Sequence, residues 1–222
     1  MDRDYELVRA WQAGDQEAGD ALVRRHFWGV YRFFRNKVDD AAEDLAQKTF
    51  LACVEARQRV RAELSFRAYL FGIARNQLML YLRRHHRSAK LLSPSETSVA
   101  DVRGDRADDL LLDHQQQRAL LSALRRIPVD FQIAIELYYW EELPVAEVAA
   151  VLEIAPGTVK SRLARARDKL RAQLERMDLP EHTLQSTLSD LEGWARSLRA
   201  HEGLNGPAES RGESKARNED PT

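Results

Sequence analysis

The feature that most constrains this chain is the interval at which its apolar residues return. Ala18, Ala21, Leu22, Val30, Phe33 and Phe34 recur at helical spacing, as do Leu45, Thr49, Cys53 and Ala56, and further on Phe66, Tyr69, Leu70 and Ile73. A turn of 3.6 residues places each set on one side of a helix. Gly and Pro are scarce outside the joints, and nowhere do apolar and polar residues alternate between turn signals as a strand requires. The periodicity predicts about four helices before a polar stretch that begins near residue 91 and about four after it. The expected fold is all-α without internal repeats.

Charge divides the chain further. Lys+Arg number 34 against 35 Asp+Glu over 222 residues, so there is no global polycation and a nucleic-acid role must rest on local patches. Residues 1–90 carry 17 basic and 12 acidic side chains, residues 91–113 carry 2 and 6, residues 114–177 carry 10 and 8, and residues 178–222 carry 5 and 9. Two mildly basic modules, 1–90 and 108–177, are therefore expected on either side of a flexible acidic linker, 91–107, whose Ser, Pro, Gly and Asp content suits a connection. With 44% hydrophobic residues the chain can bury two small cores. Cys53 is the only cysteine, which excludes an internal disulfide framework and a multi-cysteine zinc site and suits a small core residue. The first residues, "MDRDYELVRAWQAGD", hold no apolar run of signal-peptide type and no later segment is apolar enough to span a bilayer, so a cytoplasmic protein is expected.

The stretch "LPVAEVAAVLEIAPGTVKSRLARARDKL" reads as a helix over Val145–Leu152, a turn over Glu153–Ala155 and a longer helix from Pro156. This is the spacing of a helix-turn-helix. On the second helix Val159, Leu163, Ala166, Leu170 and Leu174 form the core stripe, while Ser161, Ala164 and Arg165, flanked by Thr158 and Lys160, lie opposite it. Small, polar and basic groups on that face fit a DNA major groove, although the charge run alone would describe any solvated helix.

From "IPVDFQIAIELYYW" through that helix the chain resembles the C-terminal DNA-binding domain of the extracytoplasmic-function sigma factors, the smallest sigma subunits of bacterial RNA polymerase. The helix-turn-helix by itself would also serve a one-component transcriptional regulator, so the first module has to discriminate. There "DLAQKTFLACV" resembles the sigma helix that docks on the largest polymerase subunit. The resemblance assigns core-polymerase contacts to Asp44, Gln47, Lys48 and Phe50, with Lys48 where the family carries an acid. "SFRAYLFGIARNQLMLYLRRHHR" resembles the segment that melts and reads the minus-ten element. Opening DNA needs basic groups for the backbone, apolar walls for an extruded base and a polar group for its edge. The resemblance assigns those parts to Phe66, Tyr69, Ile73, Ala74, Asn76, Arg83, Arg84 and Arg87, although Phe66 and Tyr69 also suit a core. Leu80 and Gly19 depart from the family pattern. Adjacent His85 and His86 point apart on a helix and have no acidic or cysteine partner at ligand spacing, so no metal site is expected.

The resemblance implies a non-enzymatic transcription initiation factor that uses no cofactor, binds core RNA polymerase and promoter DNA, and can be held inactive by an anti-sigma factor. Outside it lie residues 178–203, where Leu184, Leu188, Leu191, Ala195 and Leu198 predict an amphipathic helical extension, and residues 204–222, too polar to bury a core and expected to be disordered.

Overall fold

A computed structural model describes residues 3–60, 64–85, 93–94, 96–100 and 115–177. The C-terminal extension, the polar tail, His86, Arg87 and most of the linker lie outside the described residues. Four helices precede the linker: α1 (Arg3–Gln12), α2 (Gln16–Val38), α3 (Ala42–Glu55) and α4 (Phe66–His85). Four follow it: α5 (Gln115–Arg126), α6 (Val129–Ile135), α7 (Val145–Leu152) and α8 (Pro156–Glu175). Between α6 and α7 the helix runs on into a π turn, Glu136–Trp140. The all-α architecture expected from the periodicity is the one observed.

The first module begins with a tight joint. Gly14 takes φ 108°, which a side chain would resist, and Asp15 then caps α2 by accepting from the Ala18 amide at 3.1 Å. Gly19 also has a reason to be glycine, since a Cβ there would lie 2.5 Å from Trp11 Nε1. The indole of Trp11 fills the space beside Gly19. α2 and α3 then pack as neighbours, with Phe27 stacked on Phe50 at 6.1 Å, and α4 closes over α3. Cys53 is buried in this core, as its place in the periodicity predicted.

In the second module the helix-turn-helix has the predicted bounds. Glu153 ends α7 in the left-handed region, φ 57°, and Pro156 occupies the first turn of α8, where no N–H is needed. All five stripe residues, Val159, Leu163, Ala166, Leu170 and Leu174, are buried. Leu170 and Leu174 pack with Leu120, Leu124, Ile127 and Trp140 in a cluster belonging to this module alone. Part of the linker is tied down: Pro94 O and Thr97 O accept from the amides of Asp130 and Val129, two first-turn donors of α6 that have no partner within their own helix.

The two modules pack together through α4 and α7. One apolar cluster runs through both, from Phe33, Phe34, Phe71 and Leu78 to Ile133, Leu137, Val148 and Leu152. Arg125 of α5 completes the joint from the other side. Its Nε donates to Asn36 O at 2.9 Å and its terminal nitrogen to Arg35 O at 3.2 Å, so a cation meets the carbonyl end of α2.

Gly19→Ala should lower stability by about 1–2 kcal/mol, the overpacking against Trp11 outweighing the gain of about 1 kcal/mol in helix propensity. In a Trp11→Ala background the same change should stabilise. Thermal unfolding of the four chains of this double-mutant cycle checks both signs.

Candidate nucleic-acid interface

On α8 the side facing away from the apolar stripe carries what the sequence predicted. Lys160, Ser161 and Arg165 are exposed, with Thr158 and Ala164 half-buried beside them. Ser161 Oγ donates to Thr158 O at 3.0 Å, and Arg165 Nε donates to Ser161 O at 3.3 Å, which steers that guanidinium along the helix surface. The other cations of the segment are used elsewhere. Arg162 retains 14% of its side-chain exposure and lies 3.0 Å from Asp130 Oδ2. Arg167 reaches Tyr139 Oη at 3.5 Å, and Lys169 rests over the Phe131 ring. Lys160 and Arg165 are thus the cations on the exposed side opposite the apolar stripe.

α4 separates its candidate residues more sharply. Phe66 is a core residue, edge-on to Trp11 and 5.4 Å from the His26 ring. Tyr69 is half-buried with its hydroxyl on Ala56 O at 3.3 Å, and burial pushes its pKa up. Ala74 is buried and Ile73 half-buried, whereas Asn76, Arg83 and Arg84 stand in solvent. The structure therefore presents Asn76 and the two arginines together with the edge of Ile73, and it encloses Phe66 and Ala74.

On α3, Asp44, Gln47 and Lys48 line one exposed edge at spacings of three and one. Lys48 Nζ pairs with Asp44 Oδ2 at 2.5 Å, one turn away, so the lysine that replaces the family's acid offsets the charge of the neighbouring aspartate. Phe50 points inward, on Phe27. In its place Leu51, 59% exposed, faces outward, and with Leu80 of α4 it lines an open groove of about 550 Å³ whose polar rim includes Asp44, Lys48, Arg84 and His85. Sequence reasoning missed Leu51. Its signal was an apolar residue midway between Thr49 and Cys53, two positions from each and so off the Leu45, Thr49, Cys53 stripe. His85 stacks on Tyr81 at 4.0 Å and bonds its carbonyl, and no metal-binding group of side chains occurs among the described residues.

Sequence reasoning also missed the charges that join the modules. Lys37 of α2, wholly buried, pairs with Glu136 and donates to Phe33 O at 2.8 Å. Burial holds the lysine pKa below its ordinary value and the glutamate pKa above its own, each opposed by the partner's charge. Arg32 meets Glu141 at 2.7 Å, and Arg67 of α4 donates to the Glu141 carbonyl. Ser65, which caps α4, donates its hydroxyl to Glu147 at 2.7 Å. A charge inside an apolar run, as in "FFRNKV" and "QIAIELYYW", was the available signal.

Comparison with known proteins shows the family. A family model described as Sigma-70 region 2 matches residues 22–88, and one described as Sigma-70, region 4 matches residues 117–170. The ECF RNA polymerase sigma factor SigM of Mycobacterium tuberculosis is 33% identical over 169 residues, covering 75% of this chain and 82% of that one. The RNA polymerase sigma-H factor of Pseudomonas aeruginosa is 28% identical, covering 79% and 95%. Among solved structures, CnrH in complex with the cytosolic domain of CnrY aligns with a TM-score of 0.57 at 26% identity over 78% of this chain and 98% of that one. The sigma factor RpoE with the anti-sigma factor NepR from Bartonella quintana aligns with 0.54 at 25% identity over 71% and 96%.

Within α3, burial pushes the Cys53 thiol up to about 12. Thiolate is the reactive form, so at pH 8 Cys53 in the folded chain should resist alkylation by iodoacetamide and react promptly once guanidinium unfolds it. Mass spectrometry of timed samples reads this, and rapid native labelling would show that α3 opens locally.

Proposed function

Because the chain belongs to the extracytoplasmic-function sigma factors of the sigma-70 family, we propose that α3 docks on core polymerase while α4 and α8 read the two promoter elements. As an RNA polymerase sigma factor it binds core polymerase and promoter DNA and directs promoter-specific transcription initiation. The modules 1–90 and 108–177, with the linker 91–107, carry docking with minus-ten reading and minus-thirty-five reading respectively. The protein acts on polymerase in the cytoplasm and catalyses no reaction itself. No described helix is long and apolar enough to cross a membrane.

The observation that carries this assignment is the split face of α8, with its apolar stripe sealed and Lys160, Ser161 and Arg165 left to solvent after a tight turn. On α4 the amide of Asn76 reads a base edge, Ile73 lines the pocket, and Arg83 and Arg84 follow the backbone, joined in this reading by Arg87 later in the sequence. Phe66, Tyr69 and Ala74 shape that helix from behind. On α3, Asp44, Gln47 and Lys48 make the polymerase contacts, and Phe50 sets the helix in register from inside. An anti-sigma partner also belongs to this reading, supported by the two solved neighbours, the sigma factor with NepR and CnrH with CnrY.

Reconstitution with core polymerase and genome-wide run-off mapping tests the whole assignment, with discrete start sites expected only when the chain is present. Asn76→Ala should leave core affinity unchanged and reduce permanganate reactivity of the melted strand, since a methyl cannot satisfy a base edge. On a randomised minus-thirty-five library, Arg165→Ala should relax preference at particular positions by about 1–3 kcal/mol, and Lys160→Ala should weaken all sequences alike and lower the salt slope by about one. If neither substitution alters affinity or preference, α8 does not read DNA through this face.

A further inference from the structure

Among the leucines of α4 one stands outside the core. Leu78 and Leu82 are wholly buried, whereas Leu80 between them is 40% exposed. At about 100° per residue Asn76, Leu80, Arg83 and Arg84 share an arc of about 100° on the helix surface. Leu80 lies about 40° from Asn76 around the axis and about 6 Å further along it. Of these four side chains it alone can neither donate nor accept a hydrogen bond. A single exposed leucine is ordinary on a protein surface. Leu80, however, joins Leu51 of α3 and Tyr81 in walling the groove of about 550 Å³, with Tyr81 braced by the stacked His85 ring at 4.0 Å. An apolar recess thus opens beside the arc that carries Asn76 and the arginines.

Base edges offer little that an alkyl side chain can recognise. Their donors and acceptors suit amides and guanidinium groups, while the C5 methyl of thymine is the apolar group that the major groove presents. An alkyl side chain set among hydrogen-bonding ones therefore favours thymine at one position. It also disfavours a base whose donor would be left against it, such as N4 of cytosine. The spacing along the helix agrees, since about 6 Å is less than two stacked base pairs at about 3.4 Å each. The charges around the recess place nucleic acid on its α4 side. Arg83 and Arg84 are exposed there, and across the groove Lys48 offsets Asp44, which leaves Glu55 as the carboxylate of the opposite wall.

We propose that Leu80 is a specificity-determining contact for the minus-ten element, an apolar surface that selects thymine, through its C5 methyl, beside the base read by Asn76. This rests on the assignment of α4 to that element. Leu80 adds a sequence preference and no attraction for phosphate, so its loss changes which elements are chosen and leaves the salt dependence as it was. Because its side chain stands outside the core, exchanging it leaves the fold nearly as stable as before.

The test is a cycle between protein and DNA, with the full chain bound to core polymerase. Competition binding is measured on a promoter taken from the run-off map, each thymine of its minus-ten element being exchanged in turn for deoxyuridine, which pairs alike and lacks only the methyl. For the parent chain one such exchange should weaken binding about fourfold, the effect of burying one methyl group. Leu80→Ala should bind the thymine and deoxyuridine promoters equally, with core affinity and helical circular dichroism unchanged. Leu80→Met, which restores an apolar side chain, should recover the difference. A minus-ten element that lacks thymine or tolerates every exchange overturns the proposal, and so does a deoxyuridine penalty that persists in Leu80→Ala. Loss of the difference in Leu80→Met as well overturns it too, because apolarity would then not be the property that is read. If the parent chain with core polymerase gives no discrete starts, the sigma-factor assignment fails and the proposal with it. That failure is read from the run-off map before any thymine is exchanged, so the two are distinct.

Discussion

The arrangement of the two modules depends on the ion pair between Lys37 and Glu136. Both groups are wholly buried, and neither could remain so alone, since an unpaired buried charge costs several kcal/mol. Lys37 belongs to α2 and Glu136 lies 99 positions further along the chain, so the pair forms only when the modules dock in one register. Around it the apolar cluster is continuous, and the lysine methylenes and ammonium lie against Phe33. Such a pair adds little net stability, but removing one partner leaves a buried charge uncompensated.

The consequences spread outward from that pair. Glu141, five residues on, reaches Arg32 and Arg67, and Asp130 reaches Arg75 and Arg162. Arg125 caps α2 at the far end of the same joint. A connection with this composition would be expected to leave two domains independent, yet polar contacts at three levels of one helical stretch and a shared apolar face bring them together. The linker residues that are described contribute by closing the first turn of α6.

This economy also explains a chain with almost no net charge serving a polyanion. Several of its cations are engaged within the chain. On α8 Arg162 is held by Asp130, and Arg167 and Lys169 lie beside aromatic groups of their own module, while Lys160 and Arg165 stand exposed opposite the apolar stripe. On α4 the outward groups are Asn76, Arg83 and Arg84.

The helices themselves were legible in the sequence because they are local. The stripe Val159, Leu163, Ala166, Leu170, Leu174 and the turn at Glu153–Ala155 follow from periodicity and from where proline and a tight turn are tolerated, and the structure repeats them residue for residue. The solvent side of α8 follows with them, since a helix with one sealed face has its other face determined. What the sequence could not supply is anything that depends on the approach of distant segments. Nothing near Gly19 announces that Trp11 will fill its place, nothing near Phe50 shows that its ring will turn onto Phe27 while Leu51 takes the surface, and nothing near Arg75 or Arg162 reveals a common partner in Asp130. Helical faces are set by a period of 3.6 residues read along the chain, whereas the fate of each charge depends on which groups the closed tertiary structure brings within about 4 Å of it.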